Sequence, residues 1–296
     1  MMRKTSLKLL TAALLWGVTA VLVPLALGAA FQAMFNAWNV NVDTVTRAPI
    51  WAQWVYTWHG SFITLISDGL LIALCVIAFH AQIERPNKRD GLSALVGFGI
   101  AILLAVLFTL LDSLRPEHPP HFSLGLIPLC GLMLISVLAE ELLTKRVLYD
   151  TVSAKWGKLP ATIAATLAFF LIGGGLGGTI ISGVNVALLG LLCCLLYDRE
   201  GLWTPVLFRW GWGFATVFLL GQGGGDHSVW RFYGVSETLL TGGDSGFACG
   251  LMWTAILMAL NMWMIFKQQR VSKDSGNTKR QFNFQFSIFN SKTKKG

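Results

Sequence analysis

The chain has 296 residues, of which 54% are hydrophobic and only 13% are charged, and its mean hydropathy is +0.60. A soluble globular protein carries about a quarter charged residues, so this composition excludes an ordinary soluble domain. Much of the net charge of +8 lies in short loops and in the C-terminal segment, a distribution that suits membrane topology and gives no reason to expect a nucleic-acid partner.

The apolar residues come in blocks of about twenty, the length that a helix needs to cross roughly 30 Å of hydrocarbon. The blocks predict an all-α, polytopic integral membrane bundle of about eight transmembrane helices, the fourth of which continues as helix to about Asp150. The predicted spans are Ser6–Ala30, Phe62–Ile83, Leu92–Leu111, Leu124–Glu141, Pro160–Ile172, Ile180–Tyr197, Trp203–Leu220 and Gly246–Phe266.

The distribution of Lys and Arg predicts the orientation of these helices. The N-terminal segment and the loops at 84–90 and 144–158 are rich in Lys and Arg, whereas the alternate loops at 31–61, 112–123 and 221–245 contain no Lys. Because positively charged loops stay on the cytoplasmic side, we expect a multi-pass protein of the bacterial cytoplasmic (inner) membrane with both termini in the cytoplasm.

The chain divides into three predicted parts. Residues 1–123 form N-terminal transmembrane helices, residues 124–267 form a membrane core, and residues 268–296 form a polar basic tail. The tail interleaves Lys, Ser, Asn and Gln with a few Phe, a composition typical of a disordered segment. We expect this tail to be cytoplasmic and its lysines to contact anionic lipid headgroups.

Ionisable residues within predicted spans are candidates for chemistry, because a charge that faces lipid is costly. Adjacent helical residues point about 100° apart, which predicts that Glu140 and Glu141 face different partners. Glu141 can pair with Lys145 at i,i+4, so spacing alone favours a helix end, with Glu140 as a general base in a semi-enclosed cavity as the alternative. The candidates are Asp68, His80, Glu140, Glu141 and Arg209.

The stretch "AEELLTKRVL" resembles the first motif of the CPBP family (CAAX proteases and bacteriocin-processing enzymes), a Glu-Glu pair followed after three residues by Arg. Three further stretches follow in the family's order: "FFLIGGGLGG", "GVNVALLGLLCCLLYDREGLWTPVLFRWGWGF" and "ETLLTGGDSGFACGLM". The resemblance covers about Leu124 to Met264 and implies a core like that of CPBP proteases within residues 124–267.

This resemblance implies an intramembrane endopeptidase in which a glutamate activates water and histidines from two later helices bind or polarise the reacting centre. Glu140 and Glu141 match the first motif and would be the catalytic residues of an active enzyme. Lys145 stands where the motif has Arg, which keeps the charge but loses the guanidinium fork.

The chain departs from the other two motifs of the family. The second motif is Phe-x-x-x-His, and here Phe169 or Phe170 is followed four residues later by Gly173 or Gly174. The third is His-x-x-x-Asn, and here it reads Arg209 and Gly213. Glycine has no side chain to act as a ligand and arginine is permanently protonated, so we expect no metal and no other cofactor, although the family permits a divalent metal.

The five histidines do not replace the missing ones. His118, His121 and His227 lie in predicted non-cytoplasmic loops, and His59 and His80 precede the region of resemblance, so we interpret all five as surface or packed side chains. In their absence we hypothesise that Arg209 neutralises Glu140 or Glu141 inside the bundle, because buried charges need such pairing.

The sequence therefore predicts a CPBP-like membrane protein with an eroded protease site. Its expected partners are the lipid bilayer and a membrane peptide or protein, in an immunity, scaffolding or regulatory role. Two alternatives stay open, and with them the question of enzymatic activity. One is an active intramembrane endopeptidase that uses Glu140 as general base, and the other is a transporter built on Asp68 with Glu140 and Glu141.

Overall fold

The computed structural model describes residues 11–12, 14, 16–116, 124–176, 178–222, 228–230, 232–234, 239–242 and 246–274. Most of these residues are helical, which confirms the predicted all-α membrane bundle. The helices are α1 (Val18–Ala37), α2 (Ile50–Phe79), α3 (Lys88–Leu110), α4 (Leu126–Trp156), α5 (Lys158–Ile172), α6 (Ile180–Glu200), α7 (Trp203–Gly213, continued by a π-helical turn over Phe214–Leu219) and α8 (Leu251–Asp274).

The helices differ in their capacity to span a bilayer. Five of them, α1, α2, α3, α4 and α6, are long and apolar enough to cross a membrane, whereas α5 and the apolar part of α8, Leu251–Lys267, are shorter. Many large apolar side chains on the helices are exposed, as expected for surfaces that contact lipid. The chain is thus a multi-pass membrane protein, and the count of eight spans stays a prediction.

Two helices begin or end away from their predicted positions. Helix α2 starts at Ile50, twelve residues before the predicted Phe62, and ends at Phe79, where His80 adopts a left-handed backbone conformation with φ 54°. Helix α1 continues to Ala37, so much of the predicted loop at 31–61 is helical. The aromatic residues of this region pack against one another between α1 and α2, a tertiary contact that local hydropathy does not report.

The C-terminal region differs in a similar way. Helix α8 runs through Asp274, so the first residues of the predicted tail are helical. Residues 275–296 of that tail lie outside the described residues, as do His118, His121 and His227. A short antiparallel ribbon joins β1 (Leu114–Pro116) to β2 (Phe232–Gly234) at the start of the α3–α4 connection.

Helices α3 and α7 pack with their backbones in contact. A Cβ atom added at Gly97 would collide with the Phe208 carbonyl, and one added at Gly211 would collide with the Ala94 carbonyl. Small residues permit this close approach in membrane bundles, where van der Waals packing drives helix association. The approach fixes the position of α7, the helix that carries Arg209, against α3.

Polar contacts at the start of α3 add to this packing. Asn87 and Asp90 form a capping box, which satisfies backbone N–H groups that the first helical turn leaves unpaired. The buried Asp90 also accepts a hydrogen bond of 2.8 Å from the Thr204 hydroxyl, and Ser93 donates to the Thr204 carbonyl at 2.9 Å. These bonds tie the first turn of α7 to the first turns of α3.

Candidate functional site

The charged cluster of the bundle forms where α4 meets α7. Arg209 Nη2 lies 2.5 Å from Glu140 Oε2, and Arg209 Nη1 lies 3.0 Å from Glu141 Oε1. The Arg209 side chain is 14% exposed, the Glu140 side chain 28% and the Glu141 side chain 0%. The ion pair predicted between Arg209 and the glutamates is therefore present, and it involves both of them.

This geometry contradicts the prediction that the two glutamates face different partners. Glu140 and Glu141 close the regular part of α4, and a π-helical stretch follows at once over Leu142–Tyr149. Both carboxylates lie at the end of flexible stems, which lets them converge from neighbouring positions of the helix. The planar guanidinium of Arg209 presents two nitrogens in a fork, so one side chain binds both acids.

A second cation completes the cluster. Lys145 Nζ lies 3.4 Å from Glu141 Oε2, as the i,i+4 spacing predicts, and both side chains are fully buried. Lys145 also donates a hydrogen bond of 3.3 Å to the Thr144 hydroxyl, which donates in turn to the Glu140 carbonyl at 2.8 Å. The two carboxylates and two cations balance in charge, which offsets part of the cost of removing them from water.

Arg146, which follows Lys145, faces a different part of the molecule. It pairs with Glu84 in the α2–α3 connection, lies 3.7 Å from Asp150 and covers the Tyr197 ring at 5.5 Å from the centroid. The two adjacent basic residues of the sequence therefore have separate roles: Lys145 belongs to the buried cluster, and Arg146 ties the α2–α3 connection to α4.

An aromatic ring packs against both cations of the cluster. The Arg209 Cζ atom lies 4.6 Å from the centroid of the Phe169 ring, and the Lys145 Nζ atom lies 5.2 Å from it. Both distances suit cation–π attraction. Phe169 in turn packs on Gly190 of α6, where an added Cβ would come within 2.9 Å of the ring.

Phe170, the aromatic residue predicted for the site, lies elsewhere. Its ring packs against Gly175 and Gly183, because adjacent residues of α5 point about 100° apart. The sequence pattern allowed either phenylalanine, and only the rotation of α5 about its axis places Phe169 beneath the cations.

Two of the three glycines at the positions of the missing motif residues are packed. An added Cβ at Gly213 would collide with the end of the Met133 side chain. At Gly173 it would meet Val186 Cγ1 at 3.1 Å, and Gly174, the alternative position in the second motif, has a φ of 73° that L residues rarely adopt. A side chain at Gly213 or Gly173 would therefore require neighbouring groups to move, whereas the space around Gly174 is open and its backbone conformation is the obstacle.

A third carboxylate lies on the neighbouring helix. The Ser136 hydroxyl donates a hydrogen bond to Asp68 Oδ2 of α2, and Ser136 precedes Glu140 by one turn of α4. The sequence indicated Asp68 as a candidate but not its partner, Ser136. The available signal was that Ser136 lies four residues before Glu140, and therefore on the same face of α4 as that glutamate. His80, the remaining candidate, caps the C-terminal end of α2 and is exposed.

The donor set does not suit a metal ion. The guanidinium of Arg209 engages both glutamates, and the motif positions for histidine hold glycine and arginine. Within the part of the chain that the structure describes, no group of three or more His, Cys, Asp or Glu side chains is placed to bind a metal.

Comparison with known proteins bears on the origin of this site. The family model described as type II CAAX prenyl endopeptidase Rce1-like matches residues 119–215, a segment that includes Glu140, Glu141, Phe169, Arg209 and Gly213. No curated protein and no solved structure matches the chain. The match confirms, over residues 119–215, the resemblance predicted from the sequence: this segment is similar to the type II CAAX prenyl endopeptidase Rce1-like family.

Proposed function

We propose that this CAAX-protease-like membrane protein has an eroded protease site and binds a membrane peptide or protein partner without cleaving it. The observation that carries the proposal is the engagement of both Glu140 and Glu141 by Arg209. In the active members that the resemblance implies, a glutamate must be available to take a proton from water.

The chemistry of the cluster supports this proposal. A general base needs a carboxylate oxygen within hydrogen-bond reach of the attacking water, yet Glu140 Oε2 is held by a permanent cation and the Glu141 side chain is fully buried. Arginine cannot take over as base or ligand. Moving Arg209 aside would leave Lys145 alone to face two carboxylates, at a cost of about 3 kcal/mol, the lower end of the range for a broken buried pair, which favours the closed pair.

The same arrangement leads us to propose that the site works without a divalent metal. Two cations already balance the two glutamates, and a bound divalent ion would leave the buried cluster with excess positive charge.

Cleavage of a prenylated CAAX peptide in proteoliposomes tests the proposal directly. We expect the wild-type chain and Glu140→Gln to give no cleavage above that of protein-free vesicles, while an active family member in the same vesicles verifies the assay. Glu140 keeps partial exposure, which favours an active endopeptidase as the second candidate. Cleavage by the wild type and by Lys158→Met, but not by Glu140→Gln, would establish that candidate and overturn the proposal.

A cellular assay tests the binding role. The double variant Glu140→Gln/Arg209→Met removes one charge of each sign and leaves the pair between Glu141 and Lys145. We expect it to restore the phenotype of a strain that lacks the gene as well as the wild type does. Loss of complementation, with the protein still present in the membrane at wild-type level, would contradict a non-catalytic role.

A further inference from the structure

Several helix ends meet at one end of the bundle. Arg146 of α4 pairs with Glu84 of the α2–α3 connection, and the Trp203 indole at the start of α7 donates a hydrogen bond to the Glu84 carbonyl. Lys158 at the start of α5 pairs with Asp198, near the end of α6, at 2.8 Å. The ends of α2, α4 and α6 and the starts of α3, α5 and α7 therefore lie at the same level along the bundle.

Helix α8 ends on the same side. Asn185 of α6 donates a hydrogen bond of 3.1 Å to the Gly250 carbonyl, just before α8 begins. Asn261, further along α8, donates to the carbonyl of Leu188, further along α6, at 3.0 Å. Contacts that advance together along both helices mean that α6 and α8 run in the same direction. Lys267, at the end of the apolar part of α8, therefore lies toward the same end of the bundle as the end of α6.

The acidic side chains at this end are engaged within the chain. Those that the structure describes have the following partners: Glu84 and Asp150 contact Arg146, Asp198 contacts Lys158, Glu200 contacts Arg199, and Asp90 contacts Thr204. Among the side chains that the structure describes, the basic ones at this end that form no ion pair are Arg85, Lys88, Arg89, Lys155 and Lys267. We call these five cations the basic surface.

The opposite end of the bundle shows no such excess among its described residues. Its charged side chains there are two of each sign: Asp43, Arg47, Asp112 and Arg115. The uncompensated positive charge of the described helix ends therefore lies at one end of the bundle, where it attracts anions.

Two of the five cations lie over exposed tryptophans. Lys155 Nζ lies 4.2 Å from the centroid of the Trp156 ring, and Lys267 Nζ lies 4.6 Å from that of the Trp263 ring. Both tryptophans are exposed, as is Leu159 of the α4–α5 turn. Each pair combines an indole, which favours the headgroup level of a bilayer, with an ammonium on a stem long enough to reach the phosphates.

The length of α4 places this surface at the headgroups. The helix has 31 residues, about 46 Å at 1.5 Å per residue, whereas the hydrocarbon core is about 30 Å thick. Residues 126–139 carry no charge, so the end that extends beyond the hydrocarbon is the one with Lys155. Arg85, Lys88 and Arg89 are exposed at the same level, in the α2–α3 connection and the first turn of α3.

We propose that the basic surface binds the headgroups of anionic phospholipids in the leaflet at this end of the bundle. Lys155 and Lys267 contact the headgroup phosphates, Trp156 and Trp263 pack beside them, and the three cations of the α2–α3 connection add to the attraction. An acidic protein would need only the charges, whereas the exposed indoles and Leu159 favour a lipid. The surface is formed by helix ends, so the proposal is independent of the proposed function.

Native mass spectrometry of the full chain with equimolar phosphatidylglycerol and phosphatidylcholine measures the binding. The double variant Lys155→Gln/Lys267→Gln removes two cations of the surface and keeps the other basic residues that orient the helices. Its matched control, Arg47→Gln/Arg115→Gln, removes the same charge from the opposite end. A lysine near an anionic surface contributes about a factor of five in affinity.

We expect the wild type and the control to retain phosphatidylglycerol in preference to phosphatidylcholine. In Lys155→Gln/Lys267→Gln this preference should fall by about fivefold or more, and in Lys155→Arg/Lys267→Arg, which keeps the charge, it should persist. A preference as strong in the glutamine double variant as in the wild type would overturn the proposal. Equal retention of the two lipids by the wild type would also overturn it and assign the surface to an acidic protein, and an equal loss in the control would assign the preference to net charge alone.

A second measurement locates the contact on the wild-type chain. Phosphatidylglycerol with a photoactivatable group on its headgroup is placed in both leaflets of vesicles that contain the protein, and the labelled peptides are mapped after irradiation. We expect labels in the peptides that span residues 84–90, 153–160 and 262–268, and few in the peptide that contains Arg47. Equal labelling at the two ends of the bundle would contradict a headgroup site on the basic surface.

Discussion

Replacing Arg209 with methionine removes the cation that joins α7 to α4 while keeping a long apolar side chain. In the wild type, Arg209 and Lys145 face Glu140 and Glu141 in a balanced cluster. In Arg209→Met, Lys145 alone faces two carboxylates, and its 3.4 Å contact with Glu141 Oε2 is not an aligned hydrogen bond, since that oxygen has no hydrogen-bond partner among the described residues.

The expected loss of stability follows from this burial. Removing one partner of a buried ion pair costs about 3–5 kcal/mol, because the other charge remains without compensation. The partial exposure of Glu140, 28% of its side chain, lets water hydrate one of the two carboxylates and places the expected value at the lower end of that range. Glu141→Gln, which leaves Lys145 and Arg209 facing Glu140 alone, destabilises for the opposite reason.

The double variant Arg209→Met/Glu141→Gln separates charge balance from other effects. It leaves one carboxylate and one ammonium, so its cost is smaller than the sum of the single costs by about 1–3 kcal/mol, the range found for residues in contact. Denaturant titration from mixed detergent micelles, followed by circular dichroism, measures the free energy of unfolding of all four proteins. Lys158→Met, which breaks an exposed pair with Asp198, should change it by less than about 1 kcal/mol.

A cost of Arg209→Met no larger than that of Lys158→Met would contradict a buried, coupled cluster. So would single costs of Arg209→Met and Glu141→Gln that add to that of the double variant within about 0.5 kcal/mol, as they do for distant, independent sites. Either result would mean that the cluster is hydrated in the folded protein and that its charges are not coupled.

Two further substitutions test the scaffold of the site in the same unfolding assay. Phe169→Leu should destabilise the protein by about 1–2 kcal/mol more than Phe170→Leu, because it removes the ring that contacts two cations. This difference in unfolding free energy should be smaller in the Arg209→Met background. An unchanged difference would mean that it comes from apolar packing alone. Gly211→Ala should cost about 1–3 kcal/mol, because its Cβ would collide with the α3 backbone, whereas Gly99→Ala, which has open surroundings, should be neutral or slightly stabilising. Equal effects of the two alanine substitutions would contradict the close packing of α3 and α7.

The amino-acid sequence alone determined the class of the protein and the residue types of its cluster. Blocks of apolar residues require a bilayer because no water-exposed fold can hide so much of their surface, and the helix period brings Glu141 and Lys145 together at i,i+4. The order of the motifs then pointed to the CPBP family and placed Arg209 near the glutamates. Each of these inferences rests on contacts within one helix or on the linear order of segments.

Tertiary structure decided which side chains meet across helices. The rotation of α5 selects Phe169 over Phe170, the position of α7 lets the forked guanidinium of Arg209 bind both glutamates, and the approach of α2 gives Asp68 its partner Ser136. These outcomes depend on how closely helices can approach, which is set by glycines such as Gly97, Gly190 and Gly211, and on the direction of each helix face. Apolar helices are nearly uniform along their surfaces, so their sequence period specifies little about rotation, and only the packed bundle fixes it.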